Sequence, residues 1–216
     1  MEFKLKPYQE AMVEKIIENK RLGLFLDMGL GKTLITLFAI KILMLLDVKK
    51  VLVVAPKKVA ESTWSSEVAK WDFLKDLKLS LVLGTKKNKI DALKKEADIY
   101  VTNRDSMSFI FGDYYLKEKP PFDMIVLDES TSFKNHKSVR YKALRSKIYP
   151  DTRVVLLTGT PVPNSYMDLW AQVYLLDRGQ RLEKTLTKFR DRYFNSNRIG
   201  SMNVFNYALK EGADKL

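Results

Sequence analysis

Short apolar runs alternate along this chain with stretches of helical periodicity, and the alternation predicts its elements. Residues 8–19 read as a helix with Ala11, Met12, Ile16 and Ile17 on one side. Residues 22–26 form a short apolar strand. Gly29 and Gly31 interrupt the pattern, and a strongly apolar helix follows over 32–46. Residues 51–55, Val-Leu-Val-Val-Ala, have the unbroken apolar character of a strand buried on both faces, closed by Pro56. The pattern continues with a helix over 59–71, a strand over 79–83, a lysine-rich helix over 86–96 and a strand over 99–102. After Pro120 and Pro121 come a strand over 124–127, a helix over 139–148 and a strand over 153–157. Helices are predicted over 166–176 and 186–194.

Apolar strands that alternate with helices predict an α/β fold, a doubly wound parallel sheet covered on both faces. In such sheets ligands bind beyond the carboxyl ends of the strands, so functional residues should follow the strands directly. From residue 178 onward no strong strand signal is visible. The expected organisation is a lobe over 1–177 and a small helical C-terminal appendage over 178–216, frayed at 212–216.

Composition narrows the class. The chain has 216 residues, 46% of them hydrophobic and 30% charged, which excludes a disordered tail or a fibrous repeat. No apolar run reaches the roughly 18 residues of a membrane span. No signal-peptide core follows Met1, and there is no cysteine, so a cytoplasmic protein without disulfides or zinc-thiolate sites is expected, with a bacterial or phage-infected cell as the setting its compact outline favours. The net charge of +12 points to a polyanionic partner, nucleic acid before an anionic membrane surface.

Three segments carry chemistry. Asp27-Met28-Gly29-Leu30-Gly31-Lys32-Thr33 follows a strand and opens a helix, as a phosphate loop does. Its glycines let backbone N–H groups turn toward a phosphate, and the helix N-terminus adds partial positive charge. Lys32 would reach the β- and γ-phosphates, and the Thr33 hydroxyl would ligate Mg²⁺. Leu26 stands where the longer loop pattern has a glycine, so the shorter GxGKT form fits better. The second segment is Asp128-Glu129 at the end of an apolar strand: Asp128 would hold Mg²⁺ and Glu129 would polarise the attacking water. The third is Thr158-Gly159-Thr160-Pro161 after the last strand, whose hydroxyls could sense a γ-phosphate and couple the sites; a plain turn is the alternative.

In this order the segments resemble the first RecA-like lobe of a superfamily-two helicase, specifically the Swi/Snf family of double-stranded-DNA translocases. DMGLGKT resembles the family's motif I, DESTSFKN (128–135) its motif II, and LLTGTPVPNS (156–165) its motif III and the stretch after it. LKPYQ (5–9) resembles the adenine-reading segment, VLVVAPKKVAESTW (51–64) motif Ia, and DIYVTNRDSM (98–107) a further segment. The resemblance covers about residues 5 to 194. It implies ATP and Mg²⁺ as cofactors, with Tyr8, Gln9, Met28, Gly29, Leu30, Gly31, Lys32 and Thr33 binding nucleotide. Lys32, Asp128 and Glu129 would be the catalytic set, Thr33 and Asp128 the metal ligands, and Thr158, Gly159 and Thr160 the coupling segment. Lys57, Lys58, Ser62, Thr102, Asn103 and Arg104 become candidates for contact with double-stranded DNA, since Lys and hydroxyl groups suit phosphate contacts. Thr131 replaces the usual His or Gln of motif II, which alters a position that links the ATP and DNA sites. The lysines around residues 86–95 fit a DNA face and a solvated helix face equally well. The basic and aromatic residues of 189–194 could stack bases, but core packing and lobe contacts are the preferred expectation, and His136 is assigned no chemistry.

Motors of this family close ATP between two RecA-like lobes, the second supplying an arginine. Only 56 residues follow Thr160, so the expectation is an ATP-binding lobe whose hydrolysis needs a second lobe, in cis or in trans. The alternative is a non-hydrolysing nucleic-acid or protein-binding module that keeps the fold. Intact Lys32, Thr33, Asp128 and Glu129 favour the motor.

Overall fold

A computed structural model describes residues 4–199 and 204–213. Six strands form one parallel sheet: β1 (Arg21–Phe25), β2 (Val51–Ala55), β3 (Leu79–Val82), β4 (Ile99–Asn103), β5 (Met124–Asp128) and β6 (Arg153–Thr158). Their spatial order is β1-β6-β5-β2-β4-β3. Helices α1 (Pro7–Glu18), α2 (Lys32–Met44) and α3 (Trp64–Lys70) share one apolar cluster. On the opposite face lie α4 (Lys86–Lys94), α5 (Val139–Ser146), α6 (Met167–Asp177) and α7 (Leu186–Tyr193).

The two-residue period of a strand divides each one between these cores. Val51, Val53 and Ala55 of β2 join the α1–α3 side, whereas Leu52 and Val54 join the other. Both faces are apolar, so β2 and β5 are buried at every position, and α2, buried along most of its length, reads as apolar nearly all round. The strand order fixes where chemistry can sit. At the carboxyl edge the chain leaves β1, β6 and β5 side by side, and β2 and β4 come next.

The expected elements form, with boundaries shifted by a residue or two. The stretch expected as one helix over 59–71 instead opens with a wide π-helical turn (Val59–Thr63) before α3. A 3₁₀ turn (Arg104–Ser106) and a π-helical segment (Ser108–Tyr114) fill a region with no strong periodic signal.

The appendage needs correction. After α7 the chain forms an antiparallel hairpin, β7 (Phe194–Ile199) with β8 (Val204–Leu209), rather than helix alone. Asn195, Ser196 and Asn197 hide this strand from a propensity reading, because Asn and Ser are poor strand formers. Phe189, Tyr193 and Phe194 are buried with Trp170 and Leu175, the core packing expected of them. Of the stretch expected to fray, 214–216 lies outside the described residues. Among the described residues, no helix is long and apolar enough to cross a membrane.

Candidate active site

The loop between β1 and α2 turns on two glycines in the left-handed region, Gly29 (φ 81°) and Gly31 (φ 76°), a conformation that side chains resist. Gly31 caps α2, so the helix N-terminus opens onto the loop. The Lys32 ammonium donates to the carbonyls of Leu26 (2.8 Å) and Asp27 (3.1 Å), which holds it inside the curve of the loop. From α1, the Tyr8 hydroxyl donates to the Leu30 carbonyl at 3.2 Å. The Gln9 amide lies so close over Gly31 that a Cβ there would sit 2.8 Å from Nε2. Gln9 is itself fixed, its Oε1 accepting from the Lys6 N–H at 3.0 Å.

Two strands away, β5 delivers Asp128 and Glu129. Asp128 is buried, and its carboxylate accepts from the indole N–H of the fully buried Trp64 at 3.2 Å. Burial raises the Asp128 carboxyl above the usual carboxylate range and the Glu129 charge adds to this, while the Trp64 bond and Lys32 oppose it. Glu129 adopts a left-handed backbone (φ 53°), uncommon for a side chain of this type. That twist turns the chain into a 3₁₀ turn (Ser130–Phe133) and sends the Glu129 carboxylate toward β6.

There Thr158 meets it. The buried Thr158 hydroxyl donates to Glu129 Oε2 at 3.4 Å and accepts from the Thr160 N–H at 3.1 Å. The Thr158 carbonyl accepts from the Leu26 N–H at 3.2 Å, so this strand end also touches the glycine loop. At Gly159 a Cβ would lie 3.4 Å from the Leu26 carbonyl, an ordinary contact distance that shows how near the two segments run. The glycine loop and the acidic pair, about a hundred residues apart in the chain, thus meet at one cleft of about 480 Å³, and the Thr158 strand end abuts both from behind. Gly29, Gly31, Lys32, Thr33, Asp128 and Glu129 line the cleft, with Thr63, Glu67, Lys70 and Trp71 opposite.

The donors suit Mg²⁺ with a nucleotide. A hard cation that keeps several waters needs few protein oxygens, and the Thr33 hydroxyl and Asp128 carboxylate, which line one cleft, are of that kind. No cluster of three or more acids and histidines exists among the described residues, so phosphate oxygens and water would complete the shell.

A family model described as SNF2-related domain matches residues 8–200. The chain belongs to the SNF2-related family. It is 38% identical over 203 residues to protein p41 of Acyrthosiphon pisum secondary endosymbiont phage 1, covering 89% of this chain and 43% of that protein. The helicase SWR1 of Mycosarcoma maydis is 32% identical over 186 residues, 80% of this chain and 10% of that one. Among solved structures, the SWI2/SNF2 ATPase core of Sulfolobus solfataricus in complex with double-stranded DNA matches with a TM-score of 0.70 and 29% identity. That match covers 88% of this chain and 39% of the other. The SNF2-related chain therefore spans less than half the length of each of these relatives.

On this SNF2-related lobe the residues expected to face DNA follow β2 and β4. Lys57 and Lys58 are exposed just past Pro56, Lys57 within 3.9 Å of Glu61. Ser62 is exposed, but its hydroxyl donates back to the Lys58 carbonyl at 3.1 Å. Arg104 is half-buried. Asn103 spends its carbonyl oxygen on the Ser106 N–H and hydroxyl, at 3.0 and 2.9 Å, capping the turn after β4. Thr102 is a correction. It is fully buried and its hydroxyl donates to the Val82 carbonyl at 2.8 Å, so no surface of it reaches a ligand. Thr102 belongs to the period-2 set that faces the sheet interior.

Two residues that support this site from behind escaped sequence reasoning. The partnership of Trp64 with Asp128 crosses 64 positions, and no local pattern announces it. Gln172 lies fully buried in α6, and its one signal is a polar residue in an otherwise apolar stretch, Leu169-Trp-Ala-Gln-Val.

Proposed function

We propose that this chain is the ATP-binding first lobe of a double-stranded-DNA translocase motor, with hydrolysis completed by a second RecA-like lobe. The observation that carries the reading is the convergence of Lys32, Thr33, Asp128 and Glu129 on one cleft beside a helix N-terminus, with Thr158 bonded to Glu129. Similarity to an ATPase core solved with double-stranded DNA supports it.

In this reading Gln9 and Tyr8 frame the adenine side. The glycine loop and the N-terminus of α2 receive the phosphates, and Lys32 moves from its two carbonyls to the β- and γ-oxygens. Thr33 and Asp128 would hold Mg²⁺, which when bound neutralises phosphate charge. Glu129 orients the attacking water, and Thr158 reports the position of Glu129 to the segment beyond Thr160. DNA phosphates would meet Lys57, Lys58 and Arg104, which follow β2 and β4, the strands next to β5 in the sheet.

The test is calorimetric. Mg-ATP should bind the parent chain, and Lys32→Ala should lose most of that affinity because the phosphates lose their cation. Equal affinity in the two chains would remove the site.

A further inference from the structure

Lys134 and Asn164, polar positions within the two acidic and threonine-rich motifs, find a common partner outside both. Lys134 Nζ lies 3.1 Å from Asp168 Oδ2, and the Asn164 N–H donates to the same oxygen at 3.2 Å. Asp168 stands in the first turn of α6. One turn further along the same face is Gln172, completely buried. The Ser130 hydroxyl donates to Gln172 Oε1 at 2.8 Å, and Nε2 donates to the carbonyls of Pro161 and Asp168, both at 2.9 Å. Carbonyls only accept, so the two 2.9 Å contacts fix which end of the amide is nitrogen.

These bonds close a circuit. Ser130 follows Glu129. Glu129 accepts from Thr158, Thr158 accepts from Thr160, and Pro161 follows Thr160. Gln172 then joins Pro161 back to Ser130. A fully buried amide among Trp170, Ala171 and Leu175 is costly wherever its bonds are incomplete. Here both donors and the acceptor are used, which a leucine packing the same space would not do.

We infer that Gln172, seconded by Asp168, is a positioning residue that makes the Glu129 loop and the Thr158–Asn164 loop move as one body. Neither touches the nucleotide cleft. Their role is to keep the Glu129 carboxylate at the Thr158 hydroxyl, and through it to tie the site to the loop beyond Pro161. This inference rests on the nucleotide site proposed above and names a regulator of its geometry.

Hydrogen exchange on this chain tests it, with Gln172→Met, which keeps volume and removes all three bonds. Amides of residues 130–134 and of Thr160, Val162 and Asn164 should exchange about tenfold faster in the variant, the scale of a lost buried hydrogen bond. Amides of β2 should be unchanged, a contrast that a merely stabilising role would not produce. Mg-ADP affinity, set by the glycine loop, should stay within about twofold. The preference of the parent for a non-hydrolysable ATP analogue over ADP should fall several-fold. Unchanged exchange in the two loops overturns the inference, as does equal acceleration in β2. Should Gln172→Met fail to fold, Ser130→Ala removes one hydroxyl only; it should speed exchange at 130–134, and normal exchange there overturns the inference equally. A parent chain that binds neither nucleotide would sink the proposed function while leaving the exchange comparison in force.

Discussion

Asp128 and Glu129 are neighbours with opposite surroundings. Asp128 is buried beneath the Trp64 indole, while Glu129 is turned out by a left-handed backbone toward Thr158. Glu129→Gln keeps the shape and removes the charge that, in the proposed function, orients water. In a protein carrying both lobes it should retain nucleotide binding and lose at least about 10²-fold in turnover, the usual worth of a general base, as phosphate release would measure. Trp64→Phe keeps most of the packing and removes the one indole donor to Asp128. Its Mg²⁺ requirement for nucleotide binding should move to several-fold higher concentration with nucleotide affinity at saturating Mg²⁺ nearly unchanged, in the manner of other supporting residues around metal ligands. A parental Mg²⁺ titration would show that the indole does not orient Asp128.

Helix α2 links the cleft to the core. Leu34, Ile35, Leu37, Ala39, Ile40 and Leu43 are all buried, so the helix is held on nearly every side and its N-terminus is fixed in space. Leu37→Ala should cost about 2–5 kcal/mol by urea denaturation, the range for a buried leucine that leaves a cavity. Gly31→Ala acts at the other end. It places a side chain in the left-handed region and drives it against the Gln9 amide, so Gln9 must move. Stability should fall by about 1–3 kcal/mol, and nucleotide affinity should fall with it. Of the elements, those with strong periodicity were legible from the chain alone, α2 and the β2 run above all. The β7–β8 hairpin was not, because pairing between residues such as Ser196 and Tyr207 is set by a partner strand and not by local propensity.

For the whole molecule, the +12 charge and the basic residues following β2 and β4 predict duplex binding through phosphates. Affinity measured by anisotropy should be weak, nearly independent of base sequence, and should fall with salt by a slope of about −0.9 for each phosphate contacted. DNA should not stimulate phosphate release by residues 1 to 216 alone. Adding a second lobe should make release DNA-dependent, since an arginine supplied from across the cleft contributes about 10³–10⁵ in related systems. Robust stimulated turnover by the single lobe would remove the requirement for a partner.

The parallel sheet, the glycine loop and the acidic and threonine strand ends were all legible in the order of residues. Apolar runs of strand length, and phosphate chemistry written in adjacent residues, are local signals. Which strands lie side by side is a matter of long-range packing, and it emerges when the chain is folded. That order brings Glu129 to Thr158, the Trp64 indole to Asp128, and Gln172 between Ser130 and Pro161. It also turned Thr102 inward, where a threonine at the end of a strand could as readily have faced solvent. Hydrogen-bond partners thirty or sixty positions apart leave no periodicity to read, because the geometry that joins them is a property of the packed sheet and not of the chain between them.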